Sequence, residues 1–190
     1  MNDSQERILE LVQEIEAKRQ EILDLTLARP PMTVTDYEFL DGAGNPVKLS
    51  DLFGDKDEMI LYHNMGPKCH YCMLWADGMN GFTPHFEDRA AFVVTMPTPA
   101  AEMTAYAESR GWKFKCVSVL GTSVLHDLGF EPVVGEGTWP GFTTLSKNSD
   151  GTISRHSSSF FGPGDDFCAV WHMFRHLPKG VNDWEPKRSY

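Results

Sequence analysis

Positive charge is scarce in this chain: 17 Lys and Arg stand against 27 Asp and Glu, a formal net charge of −10 over 190 residues. Binding a phosphate backbone needs a cationic footprint, so no nucleic-acid partner is expected. Long apolar runs are missing as well. No stretch approaches the roughly 20 residues of a membrane-spanning helix. The opening Met1-Asn2-Asp3-Ser4-Gln5-Glu6 is polar and acidic, unlike the apolar core of a secretory signal. The expected address is the cytoplasm, with no membrane partner. No G-x-G-x-x-G, Walker loop or nucleophile elbow occurs, which leaves dinucleotide, nucleotide and serine-hydrolase readings without support. Cysteines number four, at positions 69, 72, 116 and 168. In a reducing compartment they are expected as catalytic, ligand or buried thiols rather than structural disulfides. The remainder, 41% hydrophobic and 12% aromatic, suffices for one well-buried domain with an added element.

Two of those cysteines form the most informative motif, Cys69-His70-Tyr71-Cys72. The run Glu58–Asn64 reads as a buried strand, Gly66-Pro67 breaks it, and Met73-Leu74-Trp75-Ala76 continue as a helix. Cys69 then falls at a helix N-terminus, where free N–H groups and the positive dipole end favour thiolate over thiol. Cys72 lies one turn on, within reach to resolve a mixed disulfide. His70, if protonated, would stabilise the thiolate, and Lys68 adds charge of the same sign. The bland alternative is a pair of small apolar residues. A metal site is a further competing use, since His63, His70, His85 and Cys116 could complete a tetrahedral set. No second C-x-x-C stands at finger-like spacing, so neither metal nor other cofactor is expected.

Residues 3–28 are periodic, with Ile8, Leu11, Val12, Ile15, Ile22 and Leu25 on one face and Arg29-Pro30-Pro31 as the stop. Asp3 and Glu6 fit an N-cap pair. This segment, 1–31, is expected either to pack on the core of the domain at 32–190 or, from its near-heptad spacing, to serve as a homodimerisation arm. Strands are expected at 37–40, 47–49, 58–64, 90–96 and 114–120, and helices at 70–81 (ending near Pro84) and 98–111. Thr98 is read as the N-cap of that last helix and Pro99 as its first residue. A short helix at 122–129, a glycine-rich loop at 131–139, a hairpin at 142–156 and a helix at 165–176 follow. Trp75, Trp112, Trp139 and Trp171 are expected in core or pocket walls. Asp77–Gly81 reads as a helix end with a possible ligand contact. The order predicts an α/β fold, thioredoxin-like, with a central mixed sheet, helices on both faces and an added N-terminal helix.

The segment Cys72-Met73-Leu74-Trp75-Ala76-Asp77-Gly78-Met79-Asn80-Gly81 resembles a bacterial thioredoxin-like family known as domain of unknown function 899. His85, Glu87–Phe92, Gly111–Phe114, Pro140-Gly141-Phe142 and Leu177–Gly180 agree, and the likeness covers about residues 35–185. It implies the fold and, weakly, an activity. Likeness to thioredoxin folds implies that Pro140 carries a cis peptide bond facing the cysteines, with Trp139 and Pro140 shaping a substrate groove beside His70 and Tyr71. Two departures stand out: Lys68 and Tyr71 occupy positions where thioredoxin has tryptophan and proline. The P-x-x-x-[ST]-x-x-C run of peroxiredoxins is also missing, because Pro67 stands only two residues before Cys69. The expected activity is that of a thiol–disulfide oxidoreductase or thiol-dependent peroxide reductase, with Cys69 attacking and Cys72 resolving. Its partner would be a disulfide-bearing protein or a small thiol or peroxide. The alternative is a thioredoxin-fold interaction module with vestigial cysteines.

Overall fold

The computed structural model describes residues 3–190. A long helix, α1 (Asp3–Leu27), is followed by three short strands, β1 (Met32–Val34), β2 (Glu38–Leu40) and β3 (Pro46–Lys48), and a 3-10 turn at Leu49–Phe53. Then come β4 (Glu58–His63), α2 (His70–Asn80), α3 (Thr83–Arg89), β5 (Ala91–Met96), α4 (Ala100–Arg110), β6 (Lys115–Ser118) and α5 (Val124–Asp127). The hairpin β7 (Gly141–Lys147) and β8 (Ile153–Phe160) and a last helix, α6 (Ala169–Arg175), complete the chain. All eight strands join one mixed sheet in the order β1-β8-β7-β4-β5-β6-β2-β3. The pairs β4–β5 and β5–β6 are parallel and the remainder antiparallel.

Alternation along the central strands sends side chains to two cores, one on each face. Met59, Leu61 and Val93 join Phe53, Leu125 and Phe130 on one side. Tyr62, Phe92, Val94 and Met96 join Trp75, Met103 and Trp171 on the other. β5 is buried at all six positions, as befits a strand with covered faces and parallel neighbours.

Several sequence expectations need correction. Pro84 does not end α2; it opens α3, where its missing N–H falls among donors that have no helical partner anyway. Thr98 is not the N-cap of α4: the helix starts at Ala100 with Pro99 as cap, and Thr98 is buried with its carbonyl accepting from Ser118 Oγ at 2.6 Å. Edge strand β1 escaped notice because three residues carry no period. Helix α1 is not packed on the core, since none of its residues is buried. Asp3, expected as the N-cap, already lies in the helix, and what precedes it lies outside the described residues.

Candidate active site

The loop between β4 and α2 is held by a short polar chain. Asn64, buried, donates through Nδ2 to Tyr62 Oη at 3.4 Å and accepts the Gly66 N–H at 2.8 Å, while its own N–H reaches Thr95 O at 2.9 Å. Gly66 takes φ +91°, and a Cβ there would stand 2.6 Å from Thr98 Oγ1, so glycine is required on both counts. The Cys69 N–H then closes on Gly66 O at 3.1 Å, delivering Cys69 to the N-cap of α2.

At that position the sulfur of Cys69 accepts the Cys72 N–H at 3.1 Å, and Cys72 Sγ donates to it at 2.7 Å. Both are free thiols; Cys69 is half-buried and Cys72 buried. The Cys69 thiol is lowered to about 6, first by the bond from Cys72, then by the N–H groups of Cys72 and Tyr71 and the charge of His70, with burial opposing. Cys72 moves the other way, held protonated by its donation to Cys69 and by burial. The pair therefore shares one proton, sited on the inner sulfur. Tyr62 Oη donates to Cys72 O at 2.8 Å from beneath, fixing the first turn of the helix.

The other cysteines are different. Burial raises the Cys116 thiol to about 12 and raises Cys168 also. Among the described residues no group of three or more His, Cys, Asp or Glu is placed to hold a metal. His63 lies between Thr95 Oγ1 (3.1 Å) and Thr143 Oγ1 (2.9 Å), against the Phe130 ring, and burial lowers it to about 3.

Of the remaining expected site residues, His70 and Tyr71 flank the sulfurs, and their rings stand 4.8 Å apart. Pro140 lies at the same end of the sheet, next to Gly141, the register partner of His63. Its peptide bond is trans, against the cis expectation: no cis bond occurs among the described residues. Gly141 admits no side chain, because Ser159 O and the Phe130 ring occupy the space of a Cβ. Trp139 is not a core wall. It is 54% exposed and packs on Phe160 at 5.2 Å.

The partners that sequence reading missed belong to the frame of the site. Trp75 Nε1 donates to Asp165 Oδ2 at 2.9 Å, tying α2 to the loop before α6. Asp77 pairs with Arg110 and accepts from Trp112 Nε1 at 2.8 Å, and Asn80 bonds Gly111 O and the Lys113 N–H. The motif Trp75–Asn80 thus fastens α2 to its neighbours. The chain end also arrives here: burial and the nearby Glu185 raise the Tyr71 hydroxyl, and Arg188 Nη2 donates to Lys68 O at 3.2 Å. No local pattern in the sequence marks a partner so far along the chain.

No curated protein matches this chain. Among solved structures, the peroxidoxin BcpB from Mycobacterium tuberculosis superposes with a TM-score of 0.53 at 23% identity, covering 65% of this chain and 80% of that one. A thiol peroxidase from Chromobacterium violaceum gives 0.57 at 11% identity, covering 78% and 87%. PrxQ from Xylella fastidiosa gives 0.54 at 12%, covering 70% and 85%. At these identities the likeness establishes the fold, which is that of thioredoxin. A sequence family described as "Bacterial protein of unknown function (DUF899)" matches residues 3–189, essentially the whole chain, and the protein belongs to that family.

Proposed function

We propose that the protein is a dithiol reductase in which Cys69 is the nucleophile and Cys72 the resolving thiol. The observation that supports this most is the sulfur pair itself: half-buried Cys69 caps α2, and its sulfur accepts both the Cys72 N–H and the thiol of buried Cys72. Cys69 attacks one sulfur of a substrate disulfide, forming a mixed disulfide and releasing the other sulfur as a thiolate. Cys72 then loses its proton and attacks Cys69 Sγ, closing the Cys69–Cys72 disulfide and expelling the second substrate thiol. Two electrons pass to the substrate, and an external dithiol restores the pair. With the sulfurs already in contact, the second step needs no rearrangement of the helix.

The peroxidoxin and thiol peroxidase likenesses favour a second acceptor, a peroxide. There Cys69 takes the terminal oxygen to become a sulfenic acid while the alcohol leaves, and Cys72 displaces water from it to give the same disulfide. Disulfide and peroxide assays on the parent, Cys69→Ser and Cys72→Ser separate the cases. The expected result is loss of turnover in both variants, with Cys69→Ser losing the first step and Cys72→Ser stalling at the mixed disulfide or sulfenic acid. Equal activity in all three chains, or inertness of the parent toward both acceptors, would contradict the reading.

For α1 we propose self-association. A helix of 25 residues is about 38 Å long, and Ile8, Val12, Ile15, Ile22 and Leu25 are all at least half exposed along it. Pairing with a second copy covers this apolar face. Sedimentation of the full chain against Ile15→Glu tests this, and two monomers would sink it.

A further inference from the structure

Away from the cysteines, two arginines share a cleft with no counter-charge. Met32 of β1 pairs with Arg155 of β8, so Arg29, reached through the rigid Pro30-Pro31, is anchored beside it. Strand β8 bulges here. Thr144 opposes Ser157 and Leu145 opposes Arg155, which leaves His156 as the extra residue. The cleft, of about 380 Å³, is lined by Arg29, Arg155, His156, Ser157, Ser158 and Thr26 among others, and by no carboxylate. Neither arginine belongs to any ion pair among the described residues. Asp127 lines a neighbouring hollow against Arg155, but its carboxylate already accepts from Tyr37 Oη and Ser123 Oγ.

A half-buried guanidinium beside a second one, with no carboxylate lining the cleft between them, is an unbalanced arrangement. Arg155 is lowered from its usual range by burial and by Arg29. The surrounding donors are also uncommitted. Arg155 Nη2 donates to Ser158 Oγ at 2.6 Å, which leaves the Ser158 proton free to point outward. His156 bonds Ser146 Oγ through Nε2, leaving Nδ1 for another partner.

We propose that this cleft binds a phosphate group, free or as a monoester. Two guanidinium groups and the Ser158 hydroxyl line one cleft, a donor set that suits an oxyanion carrying more than one negative charge and three or four acceptor oxygens. The site is independent of the redox reading. Arg155 pairs with Leu145, which pairs with Met59 at the start of β4, whereas the cysteines follow the other end of that strand.

Calorimetric titration of the full chain at fixed ionic strength tests it, with inorganic phosphate, a simple alkyl phosphate and succinate as probes. The expected result is that phosphate binds the parent and is weakened about tenfold or more by Arg29→Gln and by Arg155→Gln, the loss of one charge-assisted bond each. Equal binding of the alkyl phosphate supports an ester as ligand, and its exclusion supports the free ion. No binding of either, tighter binding of succinate, or unchanged phosphate affinity in Arg29→Gln overturns the proposal. Arg29 is exposed, so that variant folds whatever becomes of Arg155→Gln.

Discussion

Helix α2 spans 11 residues and buries Cys72, Met73, Trp75 and Ala76, whereas helix α1 spans 25 and buries none. Both look amphipathic in the sequence. α2 is held by its surroundings: Trp75 to Asp165, Asp77 to Arg110 and Trp112, Asn80 to Gly111 and Lys113. Pairs within its own surface run along α1, such as Arg7–Glu10 and Lys18–Glu21, and one ion pair, Arg19–Asp166, ties it to the body of the fold. Exposed pairs of that kind contribute about 0.2–0.5 kcal/mol each. A helix stabilised from outside can hold a sulfur in place; one stabilised mainly from within awaits a partner.

Breaking the frame of α2 should therefore cost most. Trp75→Ala removes a buried ring and its bond to Asp165, and a loss of about 3–5 kcal/mol in denaturant unfolding is expected. Asp77→Asn, which leaves Arg110 without its carboxylate, should lose about 1–3 kcal/mol and shift the Cys69 titration little. The same substitution type on α1 sharpens the contrast. Ile15→Ala should change the unfolding of dilute protein by no more than about 0.5 kcal/mol, while weakening self-association at higher concentration.

Two pH effects follow from the buried groups. His63 is neutral in the fold down to about pH 3, whereas in the unfolded chain it titrates near the ordinary ~6.5. Stability is thus complete above about 6.5 and falls as the unfolded state gains a proton that the fold refuses. His63→Gln should flatten that acid slope. In the reduced protein Cys69 releases its proton at about 6 and Cys72 far above the ordinary range, while both unfold to ~8.5. Relative to Cys69→Ser, stability should rise from pH 6 to about 8.5, where only the fold has ionised. Beyond that the difference should level off, because the unfolded Cys69 has ionised as well and buried Cys72 stays protonated in the fold of both chains. Thermal unfolding of both chains across pH checks the shape.

How far the sequence alone reached follows the same divide. The placement of Cys69 was legible because a strand, a Gly-Pro break and a helical run are local signals, and the structure puts it at the helix cap. Central strands were legible for the same reason, as unbroken apolar runs. What escaped depends on residues distant in sequence: the tie of Trp75 to Asp165, the bond from Arg188 to the Lys68 carbonyl, and β1, defined only by its pairing with β8. The cis peptide expected at Pro140 came from family likeness rather than from these residues. Here Pro140 is trans and simply opens β7, its carbonyl accepting the Phe161 N–H at 2.8 Å.

Ultraviolet titration of thiolate absorbance in the reduced protein tests the central claim most directly. A single thiolate appearing with a midpoint near pH 6, absent in Cys69→Ser, is the predicted result. A first ionisation at the ordinary ~8.5, or one that survives Cys69→Ser unchanged, would contradict it and leave the sulfur pair as two buried side chains of a thioredoxin fold.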